Sequence, residues 1–322
     1  MNTDKDCVLN DVLVVTVKKS FWASNECTIF PNRMYATNLY GHSRSIVNTL
    51  ITVFRALFYC FQKKPKLVLF GSSAKVVPFF IFFKMLGFFS SMKIITTTQL
   101  YFKDSAVKHI EKIIVYSKTQ ILRHRLSIRN KYVFIPLPAD GIFEYNGNST
   151  TDKYIFSGGG DSRDFSTLIQ AVKGLDIKLK IVTFSPRKLG YNDELPSNCD
   201  VYWQMPLQKF LKLMADSLFV VVPLQKGNWP HGQTTVVQAL CSGKAVISNK
   251  DASIEDYITD RKEGILVPAG DVNAYRKAIV QLTNDDDFRN QSEIYSKIKA
   301  KELTYEIFAN NLIKLCKEVL KY

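Results

Sequence analysis

The chain has 322 residues, 46% hydrophobic and 22% charged, which suits one large or two medium globular domains and excludes wholesale disorder. Its six cysteines lie far apart with no C-x-x-C pair and its four histidines are scattered, so neither a disulfide framework nor a zinc or His-based metal site is expected. The net charge of +14 sits in one half: residues 1–138 carry 20 Lys+Arg against 6 Asp+Glu, and the remainder is balanced at 23 of each. Such asymmetry turns the first half toward an anionic partner (nucleic acid, a phospholipid surface or a phosphorylated substrate), or serves solubility alone.

The start, MNTDKDCVLNDVLVV, has acids where a signal peptide has a basic region, so a reduced, cytoplasmic protein is expected. DVLVVTV (11–17) predicts a buried strand, SIVNTLITVFRALFYCF (45–61) a long helix and KLVLFG (66–71) a second strand. KVVPFFIFFKMLGFF (75–89) is apolar nearly all round but too short to span a bilayer, which takes roughly 18–20 residues. It reads either as a buried helix or as a Phe-rich face at a membrane surface, beside the lysines at 63, 64, 66, 84 and 93. Strands are then predicted at KIITTT (93–98), KIIVYS (112–117) and YVFIPLP (132–138), with a helix over TQILRHRL (119–126).

PADGIFEYNGNSTTDK (138–153) is polar and turn-rich, the best candidate for a linker. A second series follows: strands at KYIFS, LKIVTF, VYW, LFVVVPL, AVIS and GILVP, with helical patterns between them and a last helix over 304–322. Short apolar runs alternating with helices predict an α/β fold of two doubly wound, Rossmann-like domains facing across a cleft. The expected boundaries are 1–140 for a first, membrane-facing domain, 141–152 for the linker and 153–303 for a nucleotide-binding domain. The helix 304–322 is expected to pack back toward the first domain.

Two stretches of the second half face phosphate chemistry. In PHGQTTVVQALCSGKAVIS (230–248), Gly232 permits close backbone approach, and Gln233, Thr234 and Thr235 would form the first turn of a helix. Free N–H groups and the helix dipole suit a phosphate there, although a simple capped turn has the same pattern. In IFSGGGDSRDFSTLIQAV (155–172), three glycines follow a strand and precede a helix, and Arg163 could clamp phosphate oxygens or form a surface pair with Asp164. The spacing is neither G-x-G-x-x-G nor a Walker loop.

Taken together, FSGGGDSRDFSTLIQAV, WQMPLQKFLKLMADSLFVVVPL, GQTTVVQALCSGKAVIS and EGILVPAGDVNAYRKAI resemble, in order, the nucleotide-binding domain of GT-B-fold glycosyltransferases. The likeness is to the large family-4 group (glycosyltransferase group 1) of bacterial polysaccharide sugar transferases, and it covers about 153–322. It implies a nucleotide diphosphate sugar, UDP-linked, as donor substrate, and no cofactor or essential metal. Gly158 and Gly159 would line the diphosphate and Arg163 would neutralise it. Trp203 to Met205 would contact the base, and Gly232, Gln233, Thr234 and Thr235 the phosphate and sugar. Gln238 stands at the second glutamate of the family's E-x7-E element, which binds ribose. The first glutamate's position is Pro230, and the neighbouring His231 either orients the donor sugar or is a loop residue.

The resemblance further implies retention of configuration and a membrane-associated or lipid-linked glycan acceptor held by the first domain, in cell-surface polysaccharide synthesis. The basic bias of 1–138 agrees with an anionic membrane partner and a peripheral place on its inner face. KKSFWASNE (18–26) stands where the family has a Gly-Gly loop, and the acceptor would lie against Ser20, Phe21 and Trp22. For a base, His42 and Asp104 are the weak candidates, each equally readable as a capping or surface residue. NDDDF (284–288) invites a metal reading, but its place between helices favours capping. The rival functions are a degenerate nucleotide-sugar-binding partner or sensor and a nucleic-acid binder. Nucleic acid is not the expected partner, because RNP-like, helix-turn-helix and zinc patterns are all missing from the sequence.

Overall fold

A computed structural model of the chain describes residues 10–17, 31–36, 45–71, 76–97, 104–122, 124–139, 153–160, 162–227 and 230–322. The chain divides into two compact units. One comprises 1–135 together with 305–322, the other 136–304.

The first unit is built on strands β1 (Val12–Val17), β2 (Arg33–Ala36), β3 (Leu67–Phe70), β4 (Lys93–Thr97), β5 (Lys112–Val115) and β6 (Tyr132–Phe134). They lie in the order β2-β1-β3-β4-β5-β6, and every neighbouring pair is parallel. Parallel strands covered on both faces read as unbroken apolar runs, and Leu67, Val68, Leu69 and Phe70 are all fully buried. Helix α1 (Ser45–Lys63) sets Val53, Ala56, Leu57 and Cys60 into this core, and α2 (Val77–Met85) adds Val77, Phe80 and Ile81. Pro78 stands in the first turn of α2, where its missing N–H costs nothing.

The second unit carries β7 (Tyr154–Gly158), β8 (Lys178–Thr183), β9 (Cys199–Trp203), β10 (Val220–Val222), β11 (Val246–Asn249) and β12 (Gly264–Val267). Their order is β12-β11-β10-β7-β8-β9, again parallel throughout. Read from the β9 edge, this is the 3-2-1-4-5-6 winding of a dinucleotide-binding sheet, whose direction of growth reverses between β7 and β10. Ligands of such sheets bind beyond the carboxyl ends of the strands at that reversal. Its longer helices are α3 (Phe165–Val172), α4 (Leu207–Ala215), α5 (Gln233–Cys241), α6 (Val272–Asn284) and α7 (Asp286–Ala300).

Three helices of this unit start at an aspartate whose carboxylate accepts the orphan N–H of the first turn. Asp164 takes Thr167 N–H at 3.2 Å, Asp271 takes Ala274 N–H at 2.9 Å and Asp285 takes Phe288 N–H at 2.9 Å. NDDDF is therefore a helix start. At Gly264 a Cβ would lie 1.8 Å from the Val246 carbonyl oxygen, so only glycine lets β12 pair closely with β11. The unit's ends meet where Ala139 N–H donates to Leu303 O at 3.0 Å.

The last helix, α8 (Tyr305–Leu320), belongs to the first unit. It buries Phe308, Leu312, Leu315 and Cys316, and Glu318 pairs with Lys112 at 3.0 Å. Tyr322 Oη accepts from Lys66 Nζ at 2.8 Å and donates to Asp11.

Candidate functional site

The reversal between β7 and β10 is locked by one arginine. After β7 the chain turns through Gly159 (φ 124°) and Ser162 (φ 57°). It then lies antiparallel beside the segment that leaves β10: Gln225 N–H donates to Ser162 O and Asp164 N–H to Pro223 O, each at 3.0 Å. Between these bonds Arg163 turns inward, only 7% exposed. Its Nε donates to Gly158 O at 3.0 Å and its Nη2 to Thr235 Oγ1 at 2.9 Å. A Cβ at Gly159 would come within 2.7 Å of the guanidinium, so that glycine makes room for the arginine beneath it. The Gly159 N–H itself is given to Val182 O at 3.0 Å. This glycine therefore gives its space to Arg163 and its N–H to the sheet.

Thr235 lies in the first turn of α5. Gly232 caps that helix in a left-handed conformation (φ 88°) with no side chain on the first N–H groups. A Cβ at Gly232 would meet Leu224 at 2.7 Å, so the helix start is pressed against the end of β10. Leu224 is fixed in turn, because its N–H donates at 2.6 Å to Asn249 Oδ1, which also accepts from Tyr275 Oη at 2.8 Å. Burial pushes the Tyr275 phenol well above its ordinary range, which keeps it a donor. Thr235 Oγ1 accepts from a cation, and its own proton stays available for another acceptor. An uncapped helix N-terminus with such a hydroxyl is built for an anion.

A cavity of about 290 Å³ opens beside this point, lined by Gly159, Val182, Thr183, Phe184, Met205, Leu207, Phe210, Thr235 and Gln238. Its wall is apolar where β8 ends and α4 begins, and polar where α5 enters. An aromatic or heterocyclic ring fits the first part, and hydroxyl and phosphoryl groups fit the second. Gln238 stands one turn after Thr235 on the same face of α5. A hollow of about 670 Å³ lies at the other, amino end of β7, β8 and β10, which is not where open α/β sheets take ligands.

The structure thus brings Gly159, Met205, Thr235 and Gln238 to one cavity; Gly158 lies against its Phe210 and Arg163 bonds its Thr235, while Gly232 meets Leu224 and Gln233 is buried at the start of α5. Thr234 is exposed at the helix start. Trp203 is 42% exposed at the end of β9 and is not part of the cavity wall. His231 also stands outside it: its Nε2 is 3.3 Å from Gln225 O, and its buried Nδ1 has no hydrogen-bond partner among the described residues. Asp104 begins a short helix, Asp104–Val107, in the first unit. His42, Ser20, Phe21, Trp22 and the stretch 141–152 lie outside the described residues.

Phe184, Leu207 and Phe210 belong to the cavity although the sequence reading did not single them out. The available signal was an aromatic at the end of a strand, in LKIVTF, and an apolar pair at the head of an amphipathic helix, in PLQKFLKL. Only the order β7-β8-β9 brings those ends together. Phe156 and Phe210 meet edge to face at 5.1 Å, and a Cβ at Gly158 would fall 2.4 Å from the Phe210 ring.

No curated protein matches the chain. Among solved structures, a glycosyltransferase from Rickettsia africae superposes with a TM-score of 0.70 at 12% identity, over 99% of this chain and 94% of that one. HepE from Anabaena, solved in complex with UDP and glucose, gives a TM-score of 0.68 at 11% identity, over 98% and 95%. Sucrose-phosphate synthase from Thermosynechococcus elongatus gives 0.68 at 16% identity, over 90% and 83%. Residues 144–299, which contain the arginine lock and the cavity, match the family of glycosyl transferases group 1. The chain has the GT-B fold, and over 144–299, just under half of its length, it is similar to the glycosyl transferases of group 1.

Proposed function

We propose that the protein transfers a sugar from a nucleotide diphosphate donor, a UDP-sugar, to a membrane-associated or lipid-linked glycan acceptor in cell-surface polysaccharide synthesis. The observation that carries this reading is the cavity at the reversal of the second sheet, apolar at one end and closed at the other by the α5 N-terminus, Thr235 and Gln238. The base would stack against Phe184 and Phe210, and the Gln238 amide would meet the ribose hydroxyls. The diphosphate would sit at the first turn of α5. Charge that builds on the departing diphosphate would be met there by backbone N–H groups and the Thr235 proton, already aimed, without an essential metal. Arg163 would act on the same charge through Thr235, as a positioning residue. Retention at the anomeric carbon follows from the family resemblance. UDP bound to HepE in a fold of this kind supports the choice of nucleotide. The basic first half would draw the enzyme to the anionic inner face of the membrane, where such an acceptor resides.

The test is calorimetric titration with UDP, GDP and ADP, with and without magnesium, on the wild type and on Gln238→Ala. Micromolar binding of UDP, indifferent to magnesium and weakened about tenfold in the variant, is expected for one lost polar contact. Folded protein that binds no nucleotide would falsify the reading. A second reading, a nucleotide-sugar-binding partner without turnover, is favoured by one observation: among the described residues, the cavity wall carries no carboxylate. Sugar release or transfer from a donor that binds would exclude it.

A further inference from the structure

Helix α1 has two apolar stripes where a surface helix needs one. Thr49, Thr52, Val53, Ala56, Leu57 and Cys60 face inward and are buried. On the other side Val47, Leu50, Ile51, Phe54, Phe58 and Phe61 recur at helical spacing and face solvent, with Phe54 73% and Phe58 64% exposed. Helix α2 repeats the arrangement. Phe80 and Ile81 are buried, while Phe82 (56%) and Met85 (64%) are exposed, followed in the turn by Leu86 and Phe88. The outer stripes are continuous, since the Phe61 ring lies 6.3 Å from Phe88 and 4.7 Å from Phe89. An exposed aromatic surface of this extent marks an interaction site.

Charge says what covers it. Residues 45–92 contain no Asp or Glu at all, and six basic residues: Arg55, Lys63, Lys64, Lys66, Lys75 and Lys84. Lys66 and Lys84 are engaged with Asp11 and Glu111. Arg55, Lys63 and Lys64 are exposed and make no ion pair among the described residues. A second copy on this face would set one basic rim against another. No helix among the described residues is long and apolar enough to cross a membrane. An apolar ledge with a purely cationic rim is instead suited to lie in the interface of an anionic bilayer, rings among the acyl chains and ammonium groups at the phosphates.

We infer that the outer faces of α1, α2 and the turn 86–89 form a docking surface that inserts into anionic lipid. This extends the proposed membrane-side acceptor to a particular surface and takes its purpose from that reading, but lipid binding and nucleotide binding are separate measurements. The test is cosedimentation of the full chain with vesicles of phosphatidylcholine alone or mixed with phosphatidylglycerol. It uses the wild type, Phe54→Ser/Phe58→Ser and Lys63→Glu/Lys64→Glu, with circular dichroism and UDP titration as checks on the fold. All four substituted positions are exposed and lie in the other unit from the nucleotide cavity.

The wild type is expected to partition at least about tenfold more strongly onto the anionic vesicles, and each double variant to lose about tenfold or more of that binding. Part of the wild-type binding should survive high salt, which the phenylalanines and not the charges sustain. Equal partition on both vesicles, or none, would overturn the inference, as would a phenylalanine variant that binds like the wild type. A concentration-dependent dimer abolished by Phe54→Ser would assign the face to a second copy and overturn it too.

Discussion

Thr235→Val tests the lock at the reversal of the second sheet. Valine matches threonine in volume and removes only the hydroxyl, so packing around the start of α5 is kept. Arg163, 7% exposed, then loses the acceptor that stands 2.9 Å from Nη2. A hydrogen bond to a charged group contributes about 1.5–3 kcal/mol. The loss of stability should therefore be about 2 kcal/mol. With a urea slope of about 2 kcal/mol per molar, the midpoint for unfolding of the second unit drops by about 1 M. Thr235→Ser keeps the hydroxyl and should hold most of that stability. UDP titration reads a second consequence, because the same hydroxyl offers its proton to the proposed diphosphate, and affinity should fall about tenfold, or 1.4 kcal/mol. A midpoint shift under about 0.2 M at unchanged slope would refute the lock. A destabilised variant with unchanged UDP affinity would leave the lock standing and remove Thr235 from the donor contacts.

Gly158→Ala should act on binding more than on stability. The added methyl meets the Phe210 ring at 2.4 Å, and that ring can only move at the expense of the cavity, so UDP binding should weaken several-fold while the melting temperature falls by only a few degrees. Asn198→Ala should cost about 2–3 kcal/mol by urea denaturation, because its Nδ2 lies 2.9–3.0 Å from the carbonyls of Val172, Leu175 and Ile177, which would all lose a donor. Burial pushes the thiols of Cys60, Cys199 and Cys316 from 9.0 up to about 12. The folded state favours the protonated thiol, so this stabilisation is complete below pH 9 and is lost as the pH rises toward 12. Iodoacetamide at pH 8 should leave all three unlabelled in the native protein, and mass spectrometry would expose the error if any were modified before unfolding.

The regular elements were legible in the sequence because each carries its own period. LFVVVPL, KLVLFG and KIITTT read as buried strands on apolar continuity alone, and the structure has strands at Val220–Val222, Leu67–Phe70 and Lys93–Thr97. Strand β2 escaped, since Arg33–Ala36 is four residues with no alternation to find. The stretch 75–89 left two readings open, a buried helix or a membrane face. The helix has both, an inner face with Phe80 and an outer one with Phe82, and hydrophobicity that runs all round a helix cannot separate them. The chemistry of the site was visible at Arg163 and Thr235, but their bond joins residues 72 apart in sequence. The sequence left Arg163 either clamping phosphate oxygens or pairing with Asp164 at the surface. The structure has it grip Gly158 O and Thr235, which no local pattern encodes. Phe184 and Phe210 became neighbours only through the strand order.

The return of α8 to the first unit sets the order in which the protein can fold as it is made. Residues 136–304 are contiguous, so the second unit has all its parts once they have left the ribosome. The first sheet is synthesised earlier but cannot cover the surface that Phe308, Leu312 and Leu315 bury until the last helix arrives. At about 5–20 residues per second that wait is on the order of 10–40 s. The half that is made first is therefore completed last, and its apolar surface stays open to chaperones, or to the membrane, while the second unit is already formed.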